Sequence, residues 1–319
     1  MKPLLKTEGI TKHYYVGKKV IHALDDISID VYEKEIMGLV GESGSGKSTY
    51  GKCVIGLEDE DSGKFFFDNK DLSKLSRKEQ KEIFRHMQMV FQNPYSSFNP
   101  KVTIGTNLLR LCKHFKMSKE DSIKRIEELF NMVKLGGELM KRLPGDLSGG
   151  QLQRLAIVRA LIPYPKFIIA DEAVSALDIS VQAQVLNLFL EMKEEMGLSI
   201  LFISHDLNVV QQICDRVAVL YLGKIVEIGP VDEIYDHTSH PYTESLILSK
   251  PKEHPDEEKR DVSFKGNGLS AVDIGNRCRF FGKCPYGEEG LCDKAEPELR
   301  KIGDNHFAAC FKEAKEWKC

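Results

Sequence analysis

The chain has 319 residues, 42% of them hydrophobic and 29% charged, with 45 Lys and Arg against 48 Asp and Glu and a formal net charge of −3. That length supports a full core and a second domain, and the near-balanced charge gives no reason to expect a nucleic-acid partner. No apolar run reaches the ~18 residues that span a bilayer, and Met1–Lys6 lacks the apolar core and cleavage site of a secretion signal, so a cytoplasmic location is expected.

Residues 1–35 alternate short apolar segments with turns, and Ile27–Val31 has the period-two pattern of a half-buried strand, so an antiparallel β region is expected. Tyr14 and Tyr15 stand in a polar stretch, Lys12–Lys19, that reads as a turn. Aromatic rings there can stack on a base or pack on the sheet edge.

Ile36–Val40 reads as a buried strand, and Gly41–Thr49 (GESGSGKST) fits G-x-x-x-x-G-K-[ST], the phosphate-binding loop, with a helix from about Lys47. Gly41, Ser43, Gly44, Ser45, Gly46 and Thr49 are the loop residues expected around the phosphates, since glycines let backbone N–H groups converge on phosphate oxygens at a helix N-terminus. Lys47 is expected at the β/γ-phosphates and the Ser48 hydroxyl on Mg²⁺. The helix should carry Cys53, Val54, Ile55 and Leu57 towards the sheet.

A strand pair follows around Gly63–Asp68, a charged helix over 76–86, and a strand over Met87–Phe91 ending at Gln92. A glutamine there can hydrogen-bond a metal-bound water or merely end the strand. Asn93-Pro94-Tyr95 breaks the pattern. Residues 102–143 read as helical, with Ile123, Ile126, Leu129, Phe130 and Val133 as core positions.

Leu147-Ser148-Gly149-Gly150-Gln151 opens an amphipathic stretch to Leu161, a second helix start able to bind an anion, although capped helices beginning S-G-G are common. Phe167–Ala170 is a buried strand ending in Asp171-Glu172. Acids at such a strand end face the ligand crevice of open α/β sheets; one carboxylate can hold Mg²⁺ and the other polarise water, while solvated turn residues would look the same taken alone. Ser175–Asp178 leads to a helix over 179–196 with Val181, Val185, Leu188, Met192 and Met196 on one face. Ile200–Ile203 is a further strand ending at His205, which is placed for a γ-phosphate or for a structural role. Val217–Leu220 and Lys224–Glu227 are expected to finish the sheet.

Five of the eight cysteines lie in the last 42 residues, after a polar stretch, 250–268, that reads as a linker. Cys278, Cys284, Cys292 and Cys310 are spaced C-x5-C-x7-C-x17-C, neither the C-x2-C pairing usual for zinc nor a ferredoxin run. Four thiolates can hold zinc or a [4Fe–4S] cluster, or remain free or disulfide-bonded. Cys319 is a weaker candidate, and Cys53, Cys112 and Cys214 are expected to be buried or incidental.

In this order the phosphate-binding loop, Gln92, LSGGQ, Asp171-Glu172, SALD (175–178) and His205 resemble the nucleotide-binding subunits of ATP-binding cassette (ABC) transporters. The resemblance implies an α/β fold: a P-loop NTPase with a RecA-like core, an antiparallel β subdomain and a helical subdomain at about 93–160. It implies a nucleotide-binding domain over 1–230 and a small cysteine-rich C-terminal extension over 231–319. It places Tyr14, with Tyr15 the alternative, on adenine; Asp171 and Gln92 on Mg²⁺; Glu172 on the attacking water; and His205 at the γ-phosphate. Ser148, Gly149, Gly150 and Gln151 would close over the ATP of an opposite subunit, with Asp178 at the junction.

More narrowly, Val90–Pro100, Tyr221–Gly229 and His240-Pro241-Tyr242-Thr243 resemble the F-type ATPase of oligopeptide/dipeptide importers. That implies a second homologous ATPase subunit, two transmembrane permeases, an extracytoplasmic binding protein acting indirectly, and a place on the cytoplasmic face of a prokaryotic cell membrane. Related importers of nickel or glycosides share these motifs. Soluble ABC ATPases of DNA repair or translation generally carry a long coiled coil or two cassettes, whereas here 99 residues separate Lys47 from Leu147 in a single cassette. A nucleotide-sensing regulator is disfavoured by the intact Glu172. Ala173 replaces the family's usual proline and should loosen that turn slightly; Leu152 stands where arginine is common. The tail resembles importer extensions in which four cysteines hold a [4Fe–4S] cluster.

Overall fold

The computed structural model describes residues 2–248, 270–272 and 274–313. The expected linker at 250–268 and Cys319 lie outside these residues. In chain order the first elements are β1 (Pro3–Val16), β2 (Lys19–Ile27), β3 (Asp30–Tyr32), β4 (Ile36–Val40), α1 (Lys47–Val54), β5 (Ser62–Phe67) and β6 (Lys70–Asp71). Then come α2 (Arg77–Arg85), β7 (Met87–Val90), α3 (Ile104–His114), α4 (Lys119–Met132), α5 (Gly149–Leu161), β8 (Phe167–Asp171), α6 (Ile179–Met196) and β9 (Ser199–Ser204). Last are α7 (Leu207–Ile213), β10 (Arg216–Tyr221), β11 (Lys224–Pro230), α8 (Val231–Asp236), α9 (Pro241–Leu248), β12 (Arg300–Gly303) and β13 (His306–Ala308).

Two compact units share these elements. One comprises Met1–Lys2, Tyr32–Ile36 and Lys74–Ile203. Its strands β7, β8 and β9 run parallel in that order, with Met87 opposite Phe167 and Phe167 opposite Ser199. Every residue of β8 is buried, as expected of a strand covered on both faces. Phe189 of α6 meets Phe202 of β9 edge to face at 5.7 Å, and both are fully buried. Truncating either ring would cost about 3–5 kcal/mol. Helix α5 is largely buried: Leu152, Leu155, Ile157, Val158 and Leu161 are fully covered.

The other unit comprises Pro3–Val31, Met37–Ser73 and Ser204–Cys319. An antiparallel sheet runs β2-β1-β5-β6, with β3 paired to β1. A second sheet runs β12-β13-β11-β10-β4, in which β4 and β10 are parallel and the remaining pairs antiparallel.

Four sequence expectations need correction. The tyrosines are not in a turn: β1 extends through Val16 and pairs Tyr14 with Ile21, because Tyr-Tyr-Val suits a strand and the reversal falls at Gly17, φ 62°. The sheet does not finish at Glu227, since β13 pairs with β11. Residues 102–143 form two α-helices and a short 3₁₀ segment, Gly137–Lys141, rather than one helical run. Leu57 (60% exposed) and Ile123 (43%) do not join the core, while Ile126, Leu129, Phe130 and Val133 do.

Candidate functional site

The loop after β4 is shaped by what its glycines must approach. A side chain at Gly41 would stand 2.1 Å from the Leu220 carbonyl oxygen, and one at Gly46 2.2 Å from that of Ala23. Gly46 also has φ 111°, a conformation other residues rarely adopt. Helix α1 then starts with no side-chain cap, whereas α2 to α7 carry Ser76, Thr103, Ser118, Ser148, Asp178 and Asp206 as caps. The helix dipole favours an anion at this N-terminus.

Lys47 is 4% exposed, and its Nζ donates to the carbonyls of Gly41 (2.7 Å) and Glu42 (2.9 Å). Glu42, Ser43 and Gly44 form the exposed rim, Ser48 and Thr49 are half-buried, and the buried Ser45 Oγ has no hydrogen-bond partner. Tyr14 reaches the same helix: its hydroxyl donates to Glu58 Oε1, and it also interacts with Thr49. Burial, with Glu58 adding, pushes its phenol up to about 12. Tyr15 is 72% exposed. The Tyr14 hydroxyl is thus tied to Thr49 of α1 and to Glu58 beyond its end, and Tyr15 faces solvent. His205 is exposed on the turn into α7, where the Ser204 hydroxyl accepts from Asp206 N–H at 3.0 Å.

The other unit brings Gln92 and Glu172 together: Gln92 Nε2 donates to Glu172 Oε2 at 2.8 Å. Asp171 ends β8 and is buried. Glu172 has φ 46°, costly for a non-glycine residue and often a mark of a functional turn. Its N–H donates to the Ile203 carbonyl at 3.0 Å, and its own carbonyl accepts from Ser175 N (3.2 Å) and Oγ (3.0 Å). Ser175 thus closes the turn that carries Ala173.

Ser148 and Gln151 form a reciprocal capping box at the start of α5. Gly149 has open space around it, whereas a side chain at Gly150 would meet Val181 of α6 at 2.4 Å. Close helix packing is therefore one reason for glycine at 150. Asp178 caps α6, accepting from Val181 N (2.9 Å) and Ser180 Oγ (2.7 Å), and these bonds, Val181's first, hold its carboxyl below the usual range. Leu152, the position where arginine was noted as common, is fully buried.

In the tail, Cys278, Cys284, Cys292 and Cys310 line one cavity with Phe280 and Phe311. Cys278 N–H donates to the Cys292 carbonyl at 2.9 Å, tying the first and third together. Burial, with the other three thiols adding, pushes the Cys278 thiol up to about 12. Among the described residues, the one group whose metal-binding atoms gather within 4.8 Å of one another is His13, His22 and Asp25, so no three of the thiols reach that spacing. A zinc ion held at 2.3 Å in a tetrahedron would need sulfurs about 3.8 Å apart.

Sequence reasoning gave no role to the groups behind the loop. Tyr242 Oη accepts from Glu42 N–H at 2.8 Å, and Lys283 Nζ stands 3.6 Å from Glu42 Oε2. Arg279 anchors the tail on Asp25 (2.5 Å) and pairs within the tail with Glu296 (2.8 Å). Burial alone would raise the Asp25 carboxyl, but hydrogen bonds from His13 and Arg279 hold it below its usual range. The signal available was the His240–Thr243 motif itself.

The ABC transporter family profile matches residues 24–175, and that of the oligopeptide/dipeptide transporter C-terminal region matches residues 226–292. The chain is 44% identical over 314 residues to the oligopeptide transport ATP-binding protein OppF of Bacillus subtilis, covering 96% of each chain. To OppF of Salmonella typhimurium it is 42% identical, covering 98% of this chain and 96% of the other. A putative peptide import ATP-binding protein of Brucella ovis is 40% identical, with 98% of each covered. Among solved structures, a dimeric ATP-binding cassette in a post-hydrolysis state with ADP and Pi superposes with TM-score 0.65 and 32% identity, covering 71% of this chain and 98% of that one. The cbiO1 protein of Clostridium perfringens, part of an ABC transporter complex, gives 0.67 and 26%, covering 78% and 94%.

Proposed function

The chain belongs to the ATP-hydrolysing subunits of ABC transporters, and from that premise we propose that it powers the import of oligopeptides or dipeptides. The observation carrying this reading is the conjunction of an uncapped, glycine-shaped loop at α1 with a tail matched by the peptide-transporter C-terminal profile. No described helix is long and apolar enough to cross a membrane, so the reading includes transmembrane permeases as separate chains. It also includes a second ATPase subunit, an extracytoplasmic binding protein acting through the permeases, and a place on the cytoplasmic face of a prokaryotic membrane.

The roles follow from chemistry. Residues 41–49 wrap the phosphates with backbone N–H groups, and Lys47 exchanges its loop carbonyls for phosphate oxygens. Tyr14 offers its ring to adenine. The Ser48 hydroxyl and the Asp171 carboxylate are hard oxygen donors suited to Mg²⁺, with Gln92 assisting, and the ion when bound neutralises charge on the transferring phosphoryl group. Glu172 orients or deprotonates the attacking water, and His205 contacts the γ-phosphate. Ser148, Gly149, Gly150, Gln151 and Asp178 serve the nucleotide of the opposite subunit, so each chain supplies half of two sites. Closure then drives the permeases, and hydrolysis resets them.

The four tail cysteines are assigned to a [4Fe–4S] cluster. Their shared cavity supports it. When bound, the cluster crosslinks four points of the tail. Anaerobically purified chain should then carry iron, acid-labile sulfide and a broad absorption near ~400 nm; their absence overturns the assignment.

For the transporter, the tagged chain is recovered from membranes in mild detergent and its companions are identified by mass spectrometry. A second, similar ATPase with two permeases is expected. Recovery alone, or with ribosomal or DNA-repair proteins, overturns transport while leaving the ATPase.

A further inference from the structure

The Gly41–Glu42 peptide unit is held from both ends. Its carbonyl, Gly41 O, accepts from Lys47 Nζ at 2.7 Å, and its N–H, on Glu42, donates to Tyr242 Oη at 2.8 Å. A trans peptide is rigid and points these two groups in opposite directions. Fixing one end therefore fixes the other, and with it the carbonyl on which the Lys47 ammonium rests.

Tyr242 is fixed in its turn by the tail. It is fully buried, its ring 4.4 Å from Tyr221 and 5.5 Å from Phe280, and its own N–H donates to His240 Nδ1 at 3.1 Å. Phe280 lies two residues beyond Cys278 and also packs edge-on against Tyr221 at 5.4 Å. Lys283, next to Cys284, adds its contact with the Glu42 carboxylate. The cysteine-lined segment and the His240–Tyr242 turn together form a back wall for the phosphate-binding loop.

We propose that Tyr242 is a positioning residue: its hydroxyl orients the Gly41–Glu42 peptide and, through it, Lys47, so that the tail sets the affinity of the loop for nucleotide. The proposal rests on residues 41–49 being the ATP site, and it stands whatever the cysteines hold. The Glu42 N–H to Tyr242 bond is part-buried, and losing its acceptor frees that peptide to turn, whereas Lys283, partly exposed, contributes little.

The test is a double-mutant cycle on the full chain, with the Kd for trinitrophenyl-ATP read by fluorescence and ATP KM and kcat by phosphate release. Tyr242→Phe keeps the ring and removes the hydroxyl. It is expected to weaken binding about tenfold and raise KM in proportion, with kcat changed less than about threefold. In a Lys47→Ala background the same substitution should have almost no further effect, because what it positions is gone. Lys283→Ala, a surface change that keeps the fold should Tyr242→Phe not, should alter Kd less than about twofold. Unchanged affinity in Tyr242→Phe, an equal loss in both backgrounds, or a larger loss in Lys283→Ala overturns the proposal. A Lys47→Ala chain that binds nucleotide as tightly as the parent instead overturns the ATP site itself.

Discussion

Gln92 donates a 2.8 Å hydrogen bond to Glu172 across a sequence separation of 80 residues. An amide donor on Oε2 orients the carboxylate without taking its charge, which suits a group that must later accept a proton. Glu172→Gln removes that capacity at nearly constant shape. The expected outcome is a fall in kcat of at least about 10²-fold with nucleotide still bound and a closed dimer trapped, checked by phosphate release and retention of labelled ATP. Unchanged turnover would remove Glu172 from the role.

The two signature glycines should separate cleanly. Gly149 has open space, so Gly149→Ala should leave the melting temperature near that of the parent. Gly150→Val would press on Val181 and cost about 1–3 kcal/mol through overpacking of α5 on α6. Thermal unfolding of both variants checks this, and equal destabilisation would deny the packing reason for glycine at 150.

His240 should make the protein acid-sensitive. Burial holds its imidazole down at about 3, against 6.5 in the unfolded chain, and its Nδ1 is committed as acceptor to Tyr242 N–H. Between those values the unfolded chain binds the extra proton, so stability present above pH ~6.5 is lost as pH falls, by up to about 1.4 kcal/mol per unit. His240→Asn, whose amide oxygen can accept the same hydrogen bond, should flatten urea midpoints between pH 6.5 and 5. An unaltered slope would count against it.

Glu227 is fully buried and accepts from His306 Nε2 (2.9 Å), Thr238 Oγ1 (3.1 Å) and Ser239 N–H (2.6 Å). Glu227→Ala would leave all of these without an acceptor, a loss of about 3 kcal/mol or more. A denaturant midpoint equal to the parent's would show the polar group to be dispensable.

What was legible in the sequence was what local pattern can carry. The wholly apolar runs of β4, β8 and β9, the glycine spacing of residues 41–46 and the caps Ser148 and Asp178 each declare themselves within a few residues. What was missed depends on contacts distant in sequence. The Glu42–Tyr242 hydrogen bond spans 200 residues, and nothing near either residue encodes it. Strand β12, Arg-Lys-Ile-Gly, is largely exposed and lacks the β-branched alternation that would announce a strand; it exists because β13 is beside it. Tyr14 was assigned to a turn because lysines flank it, yet the long side chains of a hairpin rim can be polar while the backbone stays paired.

The pairing of β13 with β11 through Glu227 and Ile228 has a consequence for solubility. Without it, β11 would present an open row of N–H and C=O groups, a template on which the same edge of another copy could dock. The native outer edge is instead β12, short and bearing the exposed Arg300 and Lys301, which repel such docking. Cys310 lies two residues past β13 and lines the cysteine cavity, so the covering strand and that cavity belong to one segment of the tail. The first sign of a damaged tail would then be a protein that clumps while its remaining soluble fraction still turns over ATP.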